Sequence, residues 1–396
     1  MINEMSGNNT PGWRSLPSQP SVSRATVLRG LVGTAVGVPV LAACTRDGGT
    51  PAASAPAASG ASDVTAALGS SYKGKTIGVV FLTLLDENEV SIQKWLEQAA
   101  KDAGLDWKFI AVDAKGDQAQ AQTAMSSFIT RKVDAIVVVV VPAIFINAQL
   151  KQAQAAGIPV VGNLMFAQFD PTIAVDYGPL LDHDALLLTH YLMSDQKSRR
   201  GSDPVKVGIL DAPVSEALVP GRKVFETLIG LDDQFEIVAA DYSVSGTDTV
   251  GDSTKRAQGM IQANPDINAI FCNYPPIAVP AASGIEQSGK KDIQVYGRIA
   301  QSAGVEAVRS GTSPLVATSW VDWPYQSYTI IEQVLIVLKG DEPNRLLALT
   351  RPVPDVVFDA SNVDEQVPEG TKAADWMFAG GAYRSQFLAR WNEVFA

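Results

Sequence analysis

Residues 136–141 read Ile136-Val137-Val138-Val139-Val140-Val141, an unbroken apolar run with no polar position on either face. A strand with one wet face alternates apolar and polar side chains. A run like this one belongs to a parallel strand covered on both sides. Pro142 ends it, because proline has no N–H to give a central ladder. A helix is expected over 143–156, and Gly157 stands where a helix C-cap needs a left-handed residue. Residues 158–161 then begin a second buried strand. The result is one βαβ unit. In open α/β sheets ligands bind beyond the carboxyl ends of the strands, which makes 142–147 and 162–169 candidate ligand loops.

The same grammar runs before and after this unit. Strand 77–82 leads into a helix with Ile92, Trp95, Leu96, Ala99 and Ala103 on one face, stopped by Gly104. Strand 107–112 follows, then a helix carrying Ala121, Met125, Phe128 and Ile129, and a further strand lies near 172–175. A helix over 180–193 and a polar loop over 195–203 lead to a second series. Its strands are expected at 205–210, 235–240, 267–272, 293–296 and 315–318, with helices near 218–229, 249–263, 277–288 and 303–310. A strong helix over 325–338, a strand at 355–358 and a terminal helix complete the chain. Alternating strands and helices specify parallel doubly wound sheets. At 396 residues, 46% of them hydrophobic, the chain is long enough for two lobes of this α/β kind.

The amino-terminal residues read differently. Arg24 and Arg29 precede an apolar stretch over 31–43 that is too short to span a bilayer and has the shape of an export-signal core. It ends in Leu41-Ala42-Ala43-Cys44, which resembles the lipobox of bacterial lipoproteins. That resemblance implies a signal peptide over 1–43 and lipid attachment at Cys44. The protein is then expected to be an envelope lipoprotein on the outer face of the cytoplasmic membrane. Residues 44–71, rich in Ala, Ser, Pro and Gly, are expected to form a flexible tether.

Composition excludes several chemistries. A formal net charge of -11 argues against nucleic-acid binding, which needs clustered Lys and Arg. Two cysteines and two histidines are too few for a structural zinc site or a disulfide framework, and no metal or cofactor is expected. Cys272 is expected to be a small buried hydrophobe. His183 and His190 share a helix face without a third ligand. Gly69-Ser70-Ser71-Tyr72-Lys73-Gly74-Lys75-Thr76 fits the P-loop pattern, yet it runs into a strand where a P-loop needs a helix N-terminus. With no G-x-S-x-G elbow and no evident nucleophile, an enzyme is not expected.

Taken together, the chain resembles the type I, ribose-binding-like solute-binding proteins of bacterial ABC importers. The resemblance is carried by Lys75-Thr76-Ile77-Gly78-Val79-Val80, Gln98-Ala99-Ala100-Lys101-Asp102-Ala103-Gly104, Val112-Asp113-Ala114-Lys115-Gly116-Asp117 and Val133-Asp134-Ala135-Ile136-Val137. It continues in Ala155-Ala156-Gly157-Ile158-Pro159-Val160-Val161, Asn264-Pro265-Asp266-Ile267-Asn268-Ala269-Ile270-Phe271, Val316-Ala317-Thr318 and, more loosely, Phe358-Asp359-Ala360-Ser361-Asn362-Val363-Asp364. It implies two lobes joined by a three-crossing hinge, with crossings near 176–178, near 320–322 and after Leu338. Residues 72–176 plus about 322–345 would make the N-terminal lobe, and 177–321 plus about 346–396 the C-terminal lobe. A monomer is implied, capturing a small solute, a sugar or sugar-like compound, in the interlobe cleft and handing it to importer membrane subunits. A ligand-sensing module for a chemoreceptor or sensor kinase is the alternative.

Family ligand contacts carry over position by position. Asn273 matches an asparagine that bonds ligand hydroxyls, and Asp322 matches a glutamine at a crossing. Asp86 and Asn88 lie in a loop of polar and aromatic contacts. Asn163 lies near an Asp-Arg pair that Leu164-Met165 replace here. Arg298-Ile299 stands where the family has an aspartate, and the family arginine of the second lobe is at best shifted to Arg222. Phe145, Phe166, Tyr274, Trp320 and Trp323 add aromatic faces suited to the apolar side of a sugar ring. Loss of the charged sugar-gripping residues points away from a simple pentose.

Overall fold

The computed structural model describes residues 68–167, 169–212, 216–244, 248–372, 375–377 and 381–396. The segment expected to be a signal peptide, Cys44 and most of the expected tether lie outside the described residues. Leu68 is buried in the core and the Gly69 N–H donates to the Phe395 carbonyl at 2.9 Å, so the folded body starts a few residues before the expected end of the tether.

The first lobe is built from β1 (Thr76–Phe81), α1 (Glu87–Asp102), β2 (Lys108–Asp113), α2 (Gln118–Arg131), β3 (Ala135–Val139), α3 (Ala143–Ala155), β4 (Val160–Asn163) and β5 (Val175–Asp176). These strands form a five-stranded parallel sheet in the order β2-β1-β3-β4-β5. Every residue of β3 is buried, as the apolar run demands. Its alternation divides the side chains between two cores. Ala135, Val137 and Val139 enter one, and Ile136 and Val138 enter the other, beneath α2 and α3. Gly157 adopts φ +70, the left-handed conformation expected after α3.

The second lobe follows with α4 (His183–Arg200), β6 (Val205–Asp211), α5 (Val219–Ile229), β7 (Phe235–Ser243), α6 (Thr249–Ala263), β8 (Ala269–Cys272), α7 (Ala278–Ser288), β9 (Gln294–Gly297), α8 (Ser302–Ser310) and β10 (Leu315–Val321). The chain then passes through α9 (Trp323–Lys339), α10 (Leu347–Thr350), β11 (Asp355–Asp359), α11 (Val363–Gln366) and α12 (Tyr383–Phe395). The second sheet is six-stranded in the order β11-β10-β9-β8-β6-β7, parallel except for its antiparallel edge strand β11. Cys272 is fully buried in β8, and burial pushes its thiol pKa up. After Gly74-Lys75 the chain enters β1, so the P-loop-like pattern has no helix behind it.

Two expectations differ from the structure. Helix α4 runs on through Arg200, where a polar loop was expected from 195. Its polar residues are used inward: Gln196 is fully buried, and its amide donates to Gln294 Oε1 at 2.9 Å and the Tyr296 hydroxyl at 2.8 Å. Arg199 pairs with Asp195 one turn earlier. The other difference is the tail. Helix α12 does not join the second lobe with β11 and α11, and Ala348 and Val353 likewise enter the core that holds the first-lobe residues. Helix α12 packs on α9, with the Tyr328 ring 5.6 Å from Phe387 and 6.0 Å from Trp391, and Phe395 lies edge-on to Tyr72 at 5.6 Å. These aromatic rings outweigh the short connection, and the chain returns to the first lobe by Tyr383.

Candidate functional site

A cavity of about 510 Å³, the space at its open mouth included, lies between the lobes. Its walls come from segments that follow strand carboxyl ends, where an α/β sheet places its ligand loops. From the first lobe come Asp86, Asn88, Glu89 and Ile92 after β1, Val140 after β3 and Leu164 after β4. Facing them are Ala217 and Leu218 after β6, Tyr274 and Pro275 after β8, and Ile299 after β9. Leu181 from the first crossing and Trp323 from the second complete the lining.

Three of these wall residues hold a backbone that their side chains disfavour. Val140, Leu164 and Ile299 have φ of +61, +56 and +55. Branched residues rarely adopt this region, and each such conformation costs about 1–3 kcal/mol. The surrounding structure pins them: the Val140 N–H donates to the Asn163 carbonyl at 2.8 Å, and the Ile299 N–H to Ser319 Oγ at 2.9 Å. Strain that converges on one cavity from three strands makes that cavity the candidate functional site.

Polar groups enter chiefly from the start of α1. Asp86 caps the helix, its Oδ1 accepting from the N–H of Asn88 at 2.8 Å and of Glu89 at 3.2 Å. Asn88 Oδ1 accepts the Trp323 indole N–H at 3.0 Å, which fixes the indole against the cavity. Glu89 is 9% exposed, and its Oε2 has no hydrogen-bond partner. Burial, reinforced by the neighbouring Asp86 charge, raises the Glu89 pKa to about 10, so the side chain is a neutral acid at neutral pH. Across the cavity, burial and the charges of Asp86 and Glu89 push the Tyr274 phenol up as well. The lobes also touch through residues that neighbour the cavity lining in sequence. Glu87 Oε2 accepts the Ser302 N–H at 2.8 Å, and the Ser302 hydroxyl donates to Glu87 Oε1.

Behind the second-lobe wall sits a buried ionic knot. The Arg298 guanidinium is fully buried and grips Asp184 through Nε at 3.0 Å and Nη2 at 2.6 Å. Its Nη1 donates to Asn273 Oδ1 at 2.7 Å, and Nη2 also meets the Leu181 carbonyl. Ser319 Oγ donates to Asp184 at 2.8 Å. Gly221 leaves the guanidinium its room, since a Cβ there would lie 2.2 Å from Nη1.

Of the residues singled out from the sequence, Asp86, Asn88, Tyr274 and Trp323 line the cavity. The others do not, each for a physical reason. Arg298 and Asn273 are spent on the ionic knot, and Asn273 also donates to Asp211 at 3.0 Å. Arg222 is held by Asp211, Glu226 and the Ala240 carbonyl. Asp322 is fully buried as the cap of α9, its Oδ1 accepting the Tyr325 N–H and the Tyr383 hydroxyl, both at 2.8 Å. Trp320 packs into the second lobe, 4.2 Å from Trp376. Phe145 packs on the core beneath α2 and α3. Asn163 is buried and donates to the Tyr177 carbonyl at 2.7 Å. Phe166, 44% exposed, borders an adjoining depression at the first crossing that shares Leu164 and Leu181 with the cavity. The ionisable lining residue missed is Glu89. Asp86-Glu87-Asn88-Glu89 has the spacing of a capping box, which accounts for an acid at that place without any ligand.

Comparison with known proteins gives a consistent picture. A family profile described as periplasmic binding protein domain matches residues 77–179 and 187–342. The ribose import binding protein RbsB of Bacillus subtilis is 27% identical over 243 residues, which cover 56% of this chain and 68% of that protein. Among solved structures, an ABC transporter solute binding protein from Bacillus halodurans with bound myo-inositol superposes with a TM-score of 0.64 at 23% identity. That match covers 74% of this chain and 97% of the other. A solute binding protein from Agrobacterium vitis with bound allitol gives 0.64 at 20% identity, covering 74% and 98%.

Proposed function

This chain belongs to the periplasmic binding protein domain family, and from that premise we propose that it captures a sugar or sugar-like solute between its lobes for an ABC importer. The cavity carries this reading, because both lobes build it and three strained strand ends converge on it. A solute seated there touches Asp86, Glu89 and Trp323 of one lobe and Tyr274 and Leu218 of the other. It therefore gains its full set of contacts only with the lobes together, and that differential affinity favours the closed arrangement. The Glu87–Ser302 contact would link the lobes in this state. Aromatic and aliphatic walls suit the apolar face of a ring or polyol chain, with few polar groups to orient it.

The protein is exported, as its family implies. We place its anchor at Cys44, with the Ala-, Ser- and Pro-rich segment behind it as the leash. Named relatives act on ribose or hold myo-inositol and allitol. For this chain, the loss of the charged sugar-gripping pair beside Asn163 favours a larger or less polar solute than ribose. A thermal-shift screen of pentoses, hexoses, cyclitols and alditols tests the reading. Stabilisation by a member other than ribose is expected. A protein that no sugar or polyol stabilises would overturn the proposal, and strong stabilisation by ribose alone would overturn its choice of solute.

A further inference from the structure

We infer that the solute carries a protonated amine, seated against the Asp86–Glu89 pair and the rings of Tyr274 and Trp323. The inference rests on the sugar-cleft reading and narrows the class of solute to amino sugars and aminopolyols.

The argument begins with an imbalance. Two acidic side chains from one turn of α1 reach the same cavity, while no Lys, Arg or His lines it among the described residues. Glu89 is 9% exposed, and its Oε2 meets no hydrogen-bond donor in a wall whose other side chains are mostly apolar. An orphaned buried carboxyl oxygen is costly to keep, and a donor from outside the chain is one way to complete it. The groups that face Glu89 are Asp86 from its own turn and the Tyr274 phenol from the opposite lobe. Glu89 and the Tyr274 phenol would respond to a positive charge in the same direction, since burial and neighbouring negative charge disfavour each anionic form.

An ammonium group supplies what is missing. It donates to Glu89 Oε2, offsets the Asp86 charge and lies over aromatic faces, whose attraction for a cation grows once water is removed. Its charge also lets Glu89 ionise. The proton that Glu89 holds in the empty cleft leaves to solvent as the ligand enters, and the Glu89 carboxylate and the ammonium remain paired. The acidic chain, at a formal net charge of -11, draws a cation towards this site. A neutral polyol can donate a hydroxyl to Glu89, but it leaves Glu89 protonated and brings no charge to offset Asp86 or to lie over the rings.

The test uses matched pairs in which one hydroxyl becomes an amine: D-glucosamine with D-glucose, D-galactosamine with D-galactose, and glucamine with sorbitol. Each is titrated calorimetrically into the full protein at pH 7, in two buffers of different ionisation enthalpy. At least one amine is expected to bind at least about tenfold tighter than its neutral partner, with proton release visible as a buffer-dependent heat. Glu89→Gln, which keeps the shape of the side chain, should abolish the proton release and remove the preference for the amine. Neutral members that bind as well as their amines overturn the inference and leave the sugar reading standing. Amines that do not bind overturn the inference as well. If the neutral members fail with them, the sugar reading loses its support too.

Discussion

Replacing Glu89 by glutamine tests the buried acid without any ligand present. The folded protein holds this carboxyl near a pKa of about 10, against 4.5 for the exposed group. Above pH 4.5 the unfolded chain loses the proton while the folded chain keeps it, so wild-type stability falls as pH rises towards 10. The slope from this one group is at most about 1.4 kcal/mol per pH unit. From pH 5 to pH 8 that amounts to about 4 kcal/mol as a ceiling. Other titrations add the same slope to both proteins, so the informative quantity is the difference between them. Glutamine is isosteric and has no proton to lose. The variant should match the wild type at pH 5 and exceed it by about 2–4 kcal/mol at pH 8. Urea unfolding followed by tryptophan fluorescence at pH 5, 6.5 and 8 reads this directly, provided the m values agree. A gap that stays constant with pH, or a variant that is weaker at pH 8, would refute the neutral buried acid.

Asp184→Ala strips the counter-charge from a fully buried guanidinium and should cost about 3–5 kcal/mol in urea unfolding. Pairing it with Arg298→Met should restore most of that loss, and a double variant no better than the single one would contradict the ionic knot. Glu87→Ala removes the acceptor of the Ser302 N–H. Amide exchange at the start of α8 should then speed up, while global stability changes by less than about 1 kcal/mol. Trp391→Ala should loosen α12 from α9 at a cost of about 3–5 kcal/mol and expose the carboxyl-terminal segment to proteolysis. An unchanged digestion pattern would argue against that docking.

Much of the fold was readable because the relevant signals are local. The apolar run at 136–141 can satisfy itself only inside a covered parallel sheet, and Gly157 marks its turn through backbone sterics alone. What escaped is what only tertiary partners decide. The polar residues after Met193 read as a loop until Gln294 and Tyr296 are seen to receive Gln196. The destination of α12 depends on rings at Tyr328 and Trp391 that are far apart in sequence. The site was visible only in part for the same reason. Loop position after a strand predicts nearness to the cleft, which serves for Asp86, Asn88, Tyr274 and Trp323. It does not say which polar side chain is already committed to a neighbour. Arg298 and Asn273 hold each other, and Asp322 caps a helix. Glu89 stands at the last position of a capping-box spacing, and its orphaned oxygen shows only in three dimensions.

The claim beneath all of this is that one small molecule contacts both lobes at once. Hydrogen–deuterium exchange with and without a saturating solute from the thermal-shift screen measures it most directly. Joint protection of residues 86–92 from one lobe and of 274–278 and 299–302 from the other is the predicted result. Protection confined to a single lobe, or located away from these segments, would contradict it.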